Sequence, residues 1–480
     1  MAKNYFYNLL LTLANLLFPI LSFPYVSRVL GPEGIGKVQF AFSFSQYFAM
    51  IAGFGIPIYG MKEIARYKND FEGRSRVFTE LTTIYVLTSI CMSVLYLSAI
   101  YLFPYFSVNR DMYLAALCMV LLGCTYIEWA YTGMEEFKSI ALRSVLFKLI
   151  GLALMYIFIK NSGDFKLYLY IMMFAFLGNN VLSFFLLKGK VRFIFAGMQL
   201  KKHLTPLFFI FGTTIVAVMA DIDTVLLGFL SNNRSVGLYT AAVKLSKISI
   251  PIVTSMGVIL MPQIAKDFAD KNLASVQQTL NKSFRFHVFF GVPIAVGLAL
   301  LAPEFITLFS GKDFLEATNS MRLLAMLPLI MGFAHFFLFL ILVPAGKNRE
   351  MFVCEVVGLI VSLGLNFILI PLLQQVGSSI ADVCSETIIT VLYFYFINKH
   401  FSFTYQWSLV VKAVVSAIIF VPLIWLVKEL PLALVYRLVI SIGACGLAYV
   451  TIQLYVFRSN FVAEITDFVK IKFNKTGKAG

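Results

Sequence analysis

The sequence predicts an all-α polytopic membrane protein with about 14 transmembrane helices. Of its 480 residues, 60% are hydrophobic and 13% are charged, and the mean hydropathy is +0.86. A soluble domain carries roughly a quarter charged residues. The apolar residues come in blocks of about 20, which is the length of a helix that crosses a bilayer. Helices are expected because open strands would leave backbone groups unpaired in lipid.

The predicted spans follow these apolar blocks in chain order. The first block is not a cleaved signal peptide, because it is too long, contains prolines and is followed by no small-residue cleavage site. The spans lie near residues 5–27, 38–60, 78–103, 112–133, 140–160, 165–187, 204–229, 237–261, 284–309, 320–344, 350–372, 377–398, 409–428 and 433–457.

The net charge of +15 raises the question of a nucleic-acid partner, but the placement of the charges indicates membrane topology instead. With the N-terminus inside, the basic segments 62–76, 188–202, 266–285 and 470–478 all fall on one side. An excess of Lys and Arg is typical of the cytoplasmic side of a membrane protein. We therefore expect a multi-pass protein with both termini in the cytoplasm and no nucleic-acid partner.

The stretch 28–66 returns in altered form about 200 residues later. Gly36 aligns with Gly237 and, after a one-residue slip, residues 64–66 align with 264–266. Each copy has a glycine turn, a hydrophobic stretch of membrane length and a basic exit. A repeat of this length in an apolar chain is typical of a transporter built from two related halves, with its site at their interface.

The repeat predicts two six-helix lobes in a pseudo-twofold arrangement. The last two spans have no counterpart in it and are expected at the periphery. The predicted domains are therefore an N-terminal lobe at 1–203, a C-terminal lobe at 204–400, and two extra helices with a basic cytoplasmic tail at 401–480.

The eighth span carries the clearest polar pattern. An ionisable residue inside a span costs several kcal/mol unless it faces a polar cavity or a partner, so it marks a candidate site. Helical spacing places five residues of this span on one face. They are Thr240, Lys244, Lys247, Pro251 and Thr254.

The equivalent face in the first half is uncharged and consists of Gln39, Ser43 and Gln46. We expect the two faces to meet across a central wet cavity, with the positive charge on the second half. Two lysines on one wall suit an anion, and phosphate is the natural candidate. The alternative is that the lysines extend to the membrane interface or pair with carboxylates of the neighbouring span.

Those carboxylates, Asp221 and Asp223, are candidate ion-coupling groups together with Glu128 in the fourth span. Residues two apart on a helix point about 200° apart, so the two aspartates cannot both face one cavity. The two aspartates also form a DxD sequence, the motif with which glycosyltransferases bind a metal ion and a sugar nucleotide. That motif belongs on an accessible loop, and these residues are predicted within a helix.

Arg28 ends the first span, directly before Gly31 and Pro32. Its spacing fits either an anion contact at the mouth of the cavity or an interfacial anchor. Proline removes a backbone hydrogen bond and bends a helix, so prolines in these spans are predicted hinges. They are Pro19, Pro24, Pro57 and Pro251.

We expect no metal, no cofactor and no enzymatic activity. All six cysteines fall inside predicted spans, without a CxxC pair or a Cys/His cluster at metal-ligand spacing. His335 could serve a membrane acyltransferase, but a packed or interfacial histidine is favoured. The predicted outer loops are short, which leaves no room for the outer domain that a polysaccharide polymerase or glycosyltransferase usually carries.

Four segments resemble one family. NLLFP at 15–19, PYVSRVLGPEGIG at 24–36 and GFGIPIYGMKEIA at 53–65 resemble the Wzx-type polysaccharide (O-antigen and capsule) flippases. VGLYTAAVKL at 236–245 is similar to their second-half signature. These flippases belong to the multidrug/oligosaccharidyl-lipid/polysaccharide exporter superfamily, with the MATE exporters and the lipid II flippases.

The resemblance implies movement of an undecaprenyl-diphosphate-linked oligosaccharide, such as an O-antigen, capsule or exopolysaccharide repeat unit, across the bacterial inner membrane by alternating access. By analogy with the lipid II flippases, Arg28 would contact the diphosphate, together with Lys244 and Lys247. The implied partners are this polyprenyl-diphosphate-linked glycan, membrane lipid and a polysaccharide polymerase of the same pathway. The alternative is a MATE-type cation-coupled exporter of small molecules. Such an exporter of cationic drugs requires acidic residues on the walls of its cavity.

Overall fold

A computed structural model describes residues 2–219 and 222–458. In these ranges the regular structure is helical, without a β-strand. The helices are α1 (Ala2–Ala52), α2 (Ile56–Arg66), α3 (Phe71–Leu102), α4 (Arg110–Leu121), α5 (Glu128–Gly133), α6 (Phe137–Phe158), α7 (Phe165–Phe185), α8 (Lys201–Met219), α9 (Asp223–Leu230), α10 (Asn233–Ala269), α11 (Leu273–Leu300), α12 (Ala302–Ser310), α13 (Thr318–Leu324), α14 (Leu327–Phe337), α15 (Asn348–Leu373), α16 (Gln375–His400), α17 (Ser408–Ala417), α18 (Phe420–Lys428) and α19 (Leu434–Thr451).

Within the described part of the chain, 12 helical segments are long and apolar enough to cross a membrane. One of them, Phe6–Ala52, has 47 residues and includes nearly all of the first predicted span and the first 15 residues, 38–52, of the second. A helix of that length extends about 70 Å, which is more than twice the thickness of a bilayer core. The seventh predicted span includes residues 220 and 221, which lie outside the described residues. The all-helical membrane fold is confirmed, and the count of 14 spans stays a prediction.

The surface of α1 has the composition of a helix that faces lipid. Leu9, Leu13, Leu17 and Leu21 follow one another at intervals of four residues, and each is between 45% and 49% exposed. Four-residue spacing places them in one stripe along the helix. Soluble monomers rarely expose extended apolar patches, whereas lipid tails cover such a stripe without a hydration cost.

The chain divides into two compact units, Met1–Thr240 and Ala241–Gly480. The boundary falls inside α10, so one helix belongs partly to each unit. The core of the first unit includes Phe78 and Tyr131, and the core of the second includes Phe284 and Tyr393. The predicted lobe boundaries at 203 and 400 remain a prediction.

The helix α1 is interrupted where the sequence ends its first span. Gly31 has φ 66° and ψ 176°, a conformation that glycine adopts easily because it has no Cβ atom. Pro19 and Pro24 lie inside the helix before this break. Pro57 was predicted to bend the second span from inside its helix, but it lies in the first turn of α2. A proline there loses no helical hydrogen bond, so it does not bend the helix.

The two repeat-related glycines contact each other's helices inside the first unit. A Cβ atom on Gly36 would lie 1.6 Å from the backbone oxygen of Asn233, and one on Gly237 would lie 1.9 Å from that of Pro32. Each glycine thus meets the residue four positions before the other glycine. This reciprocal geometry is a local twofold crossing of α1 and α10, and the two backbones approach too closely for any side chain.

Three polar side chains of α3 hold the connection between α7 and α8. Ser75 Oγ accepts a hydrogen bond from Arg192 N at 3.0 Å, and Thr79 Oγ1 accepts one from Ile194 N at 3.0 Å. Glu80, whose side chain is fully buried, contacts Lys202 Nζ at 2.9 Å. The segment therefore satisfies its backbone donors on the surface of α3.

The buried carboxylate of Glu80 also organises the start of α8. Its two oxygens contact Gln199 N and His203 Nε2, both at 2.8 Å. The other ring nitrogen of His203 lies 2.9 Å from the hydroxyl of Tyr59 on α2. The cluster thus joins α2, α3 and α8 through groups that are far apart in the sequence.

The glycine crossing predicts a specific sensitivity to added methyl groups. Gly36→Ala or Gly237→Ala should lower the apparent Tm of the solubilised protein, because overpacking at a backbone contact costs about 1–3 kcal/mol. The matched control is Gly364→Ala on α15, where a Cβ atom meets nothing within 4 Å. Size-exclusion chromatography after heating measures the folded fraction. Equal stability of Gly36→Ala and Gly364→Ala would contradict the crossing.

Removal of the Glu80 charge should also destabilise the first unit. Glu80→Gln leaves Lys202 and His203 without their carboxylate, and breaking a buried pair costs on the order of 3 kcal/mol. Glu135→Gln is the control, because the Glu135 carboxylate contacts Lys68 at 2.8 Å but is 59% exposed. Water competes with such a surface pair, so little change is expected. If Glu80→Gln and Glu135→Gln had the same melting temperature, the cluster around Glu80 would have no structural role.

Candidate functional site

The polar face predicted on the eighth span lies on one continuous helix, α10, with Pro251 inside it. Thr240 is buried and donates its hydroxyl to Val236 O at 2.7 Å, and Thr254 donates to Ile250 O at 3.1 Å. Lys244 and Lys247 are half-buried between them. The threonine hydroxyls bind their own helix, and the two ammonium groups are the charged groups of this face.

Of the two aspartates predicted beside these lysines, the structure describes Asp223. Asp223 is buried in the first turn of α9 and accepts a hydrogen bond from the hydroxyl of Tyr239 at 3.2 Å. Asp221 lies outside the described residues. Within the described residues, α8 extends to Met219 and α9 begins at Asp223. Burial and the bond to Tyr239 favour a structural role for Asp223.

The uncharged face of the first half lies on α1 after the break at Gly31. Gln39, Ser43 and Gln46 are all half-buried. The amide of Gln39 donates to Ser43 Oγ at 3.1 Å, and its carbonyl oxygen is a further hydrogen-bond acceptor. Arg28 lies before the break, is exposed, and donates from Nη1 to Pro24 O at 2.6 Å. Its guanidinium is therefore held close to its own helix.

Glu128 lines a polar pocket of about 310 Å³ within the first unit. The pocket lies between α1, the start of α5, α6 and α7. Apolar side chains such as Phe18 and Phe42 complete its walls. Its polar lining residues include Asn15, Glu128, Ser144, Lys148, Asn179 and Asn180.

A break in the fourth predicted span positions Glu128 in this pocket. The helix α4 ends at Leu121, a 3₁₀ turn follows at Leu122–Thr125, and α5 begins at Glu128. In membrane transporters, interrupted helices often supply the groups that bind ions or substrates at mid-membrane. The interruption here brings a carboxylate to the wall of a cavity.

The opposite charge in the pocket is the ammonium of Lys148. It donates to Asn15 Oδ1 and, at 3.0 Å, to Ser144 Oγ. The pocket also contains polar atoms without a hydrogen-bond partner among the described residues, namely Asn179 Oδ1 and Asn180 Nδ2. Asn180 is 3% exposed. Because buried polar atoms are usually paired, these amides are placed to bind water or a polar ligand.

Glu128 and Lys148 carry opposite charges on the wall of one cavity. Protonation of the carboxylate would therefore make the net charge of that cavity more positive. Sequence reasoning selected Glu128 but missed Lys148. The rule that marks ionisable residues inside spans would have selected it, since Lys148 lies within the predicted span 140–160.

Two further polar residues of the spans have structural partners. Glu355 on α15 accepts a hydrogen bond from the hydroxyl of Tyr393 on α16. Asn366 is fully buried and accepts a hydrogen bond from Ser378 Oγ at 3.1 Å. Both bonds join α15 to α16. Across the described ranges, no group of three or more His, Cys, Asp or Glu residues is arranged to hold a metal ion.

Two solved structures share this fold. The inward closed conformation of the lipid II flippase MurJ aligns with a TM-score of 0.73 at 15% identity, covering 95% of this chain and all 100% of that one. The inward-facing conformation of a multidrug resistance MATE family transporter of the MOP superfamily aligns with a TM-score of 0.64 at 15% identity, covering 80% of this chain and 93% of that one. At this identity the likeness is one of fold.

Relatives that match by sequence include two proteins with transport functions. A candidate O-antigen transporter of Shigella dysenteriae is 22% identical over 82% of this chain and 98% of its own length. The lipid II flippase MurJ of Bacillus subtilis is 28% identical over 34% of this chain and 30% of its own length. The family model described as polysaccharide biosynthesis protein matches residues 1–268, more than half of the chain. The resemblance to the polysaccharide flippases is thereby confirmed, and the chain belongs to the polysaccharide biosynthesis protein family.

Proposed function

We propose that this protein is a flippase for a polyprenyl-diphosphate-linked oligosaccharide. The observation that carries the proposal is the cationic face of α10. The chain also matches a candidate O-antigen transporter over 98% of that transporter's length. The substrate class is one of anionic lipids that carry a sugar chain. Its members include the repeat units of O-antigen, capsule and exopolysaccharide.

The diphosphate is the part of this substrate that most needs charged partners inside a membrane. We assign its binding to Lys244 and Lys247, with Arg28 as a third contact. Lysine ammonium groups bind phosphate as mobile point charges, whereas a guanidinium offers a fixed fork of donors. Half-burial of the two lysines supports this role, because an ammonium that is partly desolvated binds an anion more strongly than one in water.

The sugar chain needs polar surroundings while the lipid tail stays in the bilayer. Gln39 and Gln46 supply neutral hydrogen-bonding groups suited to sugar hydroxyls. Alternating access between inward-open and outward-open states would move the headgroup between leaflets. Pro251 lies inside α10 one turn after Lys247, and we assign to it the bend of that movement.

We assign ion coupling to Glu128 rather than to Asp223. Glu128 lines a cavity with Lys148, whereas Asp223 is buried and bonded to Tyr239. Protonation of Glu128 would change the net charge of this cavity and favour a different packing of α1, α5 and α6. The proposed setting is the bacterial inner membrane, with both termini in the cytoplasm. A polysaccharide polymerase of the same pathway is the proposed protein partner.

The lysine assignment predicts a loss of transport without a loss of folding. Lys244→Ala/Lys247→Ala should reduce flipping of undecaprenyl-diphosphate oligosaccharide in vesicles at least about tenfold, because charge-assisted hydrogen bonds contribute about 1.5–3 kcal/mol each. The measurement is the initial rate at which the sugar becomes accessible on the far leaflet.

The matched control removes two lysines elsewhere. Lys266→Ala/Lys271→Ala lowers the net charge by the same amount, and both side chains are exposed at the end of α10 and just beyond it. This control should flip at the wild-type rate. Equal rates for the two double variants would make Lys244 and Lys247 structural.

The assignment of coupling to Glu128 predicts a specific loss of gradient dependence. Collapsing the proton and sodium gradients should slow the wild-type protein severalfold, and Glu128→Gln should give one rate with or without them. Glu355→Gln is the control, since Glu355 is also a carboxylate within a span but is held by Tyr393. Full gradient dependence in Glu128→Gln would remove Glu128 from the coupling, and an unresponsive wild type would remove coupling altogether.

A further inference from the structure

A second charged pocket lies in the second unit, apart from the residues discussed above. It has a volume of about 170 Å³ and is formed by α11, the segment 401–407, α17 and the turns after α19. Three of its lining residues are cations, namely Arg285, Lys412 and Arg458, and none of the described lining residues is a carboxylate. Val288, Phe289 and Leu409 make one wall apolar.

The three cations of this pocket, which we call the basic pocket, lack acidic partners in the described part of the chain. Elsewhere in the second unit a lysine has an acidic partner, since Lys428 contacts Glu304 at 2.8 Å. Like charges that converge on one small cavity repel each other unless an anion neutralises them. The arrangement therefore favours a bound anion.

Two hydrogen bonds between a side-chain amide and the backbone hold the segment 401–407 beside the basic pocket. Gln277 Nε2 donates to Thr404 O at 2.8 Å, and Thr404 N donates to Gln277 Oε1 at 3.0 Å. Beside this pair, Arg285 Nε donates to Gln406 Oε1 at 3.2 Å. This bond orients the guanidinium through Nε, so its terminal amino groups remain for a ligand. Such preorganisation lowers the entropy cost of binding.

The opposite wall comes from an irregular helix end. The chain forms a π-helix at Ile452–Val456, and π-turns occur frequently at functional sites. Gln453 within it is 5% exposed and donates to Ser416 Oγ at 3.0 Å. Arg458 follows with φ 48°, an uncommon value for a residue other than glycine. The π-helix and this turn bring Gln453 and Arg458 to the same cavity as Lys412.

We propose that the basic pocket binds the phosphate group of a lipid. The guanidinium and ammonium groups match phosphate oxygens, and the apolar wall matches the first carbons of a lipid chain. Two lipids carry this chemistry, a bulk anionic phospholipid and the polyprenyl diphosphate carrier. The inference goes beyond the transport proposal and does not depend on it, because a pocket that holds a structural lipid needs no flipping.

The competing explanation is that these cations only set membrane topology. In that case, any three basic residues at membrane boundaries of the second unit would be equivalent. Lys271, Lys282 and Arg349 provide the comparison, since all three are exposed and none lines the basic pocket. Arg285→Gln/Lys412→Gln/Arg458→Gln and Lys271→Gln/Lys282→Gln/Arg349→Gln then remove the same charge from different places.

The test is native mass spectrometry of the full-length protein titrated separately with phosphatidylglycerol, undecaprenyl diphosphate, phosphatidylcholine and inorganic pyrophosphate. We expect the wild type and the exposed-residue variant to bind one of the two anionic lipids, and the pocket variant to bind it at least about tenfold more weakly. Phosphatidylcholine should bind weakly, because its choline cation is repelled by the pocket. The single variant Lys412→Gln should weaken binding in the same direction if the triple variant folds poorly.

The identity of the preferred lipid distinguishes the two sources. Preference for phosphatidylglycerol identifies a structural lipid, and preference for undecaprenyl diphosphate identifies a waiting site for the carrier. Equal lipid binding by the two triple variants would overturn the proposal, and so would pyrophosphate binding as tightly as either lipid. A glycolipid-flipping assay in vesicles on the same variants distinguishes failure of the lipid-site proposal from failure of the transport proposal. A protein that binds lipid in the basic pocket but moves no glycolipid would refute only the proposed flippase function.

Discussion

Two helix backbones can touch only where neither carries a Cβ atom, and the crossing of α1 and α10 meets that condition through Gly36 and Gly237. This contact leaves no room for a side chain on either glycine. It fixes the start of α10, and with it the register of the face that carries Lys244 and Lys247. It also follows directly on the break at Gly31, where α1 changes direction. The same two glycines are equivalent in the internal repeat, so the contact is one that a duplicated unit makes with its own copy.

Charge inside the membrane is handled in several distinct ways. Glu80 is fully buried and surrounded by Lys202, His203 and a backbone donor, which is an arrangement for holding a connection in place. Glu128 and Lys148 share a cavity that retains unpartnered amides, which is an arrangement open to a ligand or a proton. The basic pocket of the second unit is lined by three cationic side chains and an apolar wall. Burial alone does not separate these cases; the completeness of the hydrogen bonding does.

The sequence was sufficient for features that depend on local composition. Apolar blocks predicted the helices, Gly31 and Pro32 predicted the break in α1, and the repeat paired Gly36 with Gly237. It was insufficient where partners are far apart in the chain. Glu80 and His203 are separated by 123 residues, and their contact depends on how α3 and α8 pack. The role of Pro57 was also missed, because a proline at the first turn of a helix and one in its interior look alike until the helix start is known. The site lysines and Arg28 remain predictions, since no ligand identifies their roles.

The most direct test of the central claim is a proteoliposome assay that offers the wild-type protein two substrates in parallel. One is an undecaprenyl-diphosphate oligosaccharide, and the other is a lipophilic cation such as ethidium. A flippase with a cationic substrate face should move the glycolipid between leaflets and leave the cation behind. Transport of the cation without movement of the glycolipid would contradict the account and would identify a cation exporter that shares the fold.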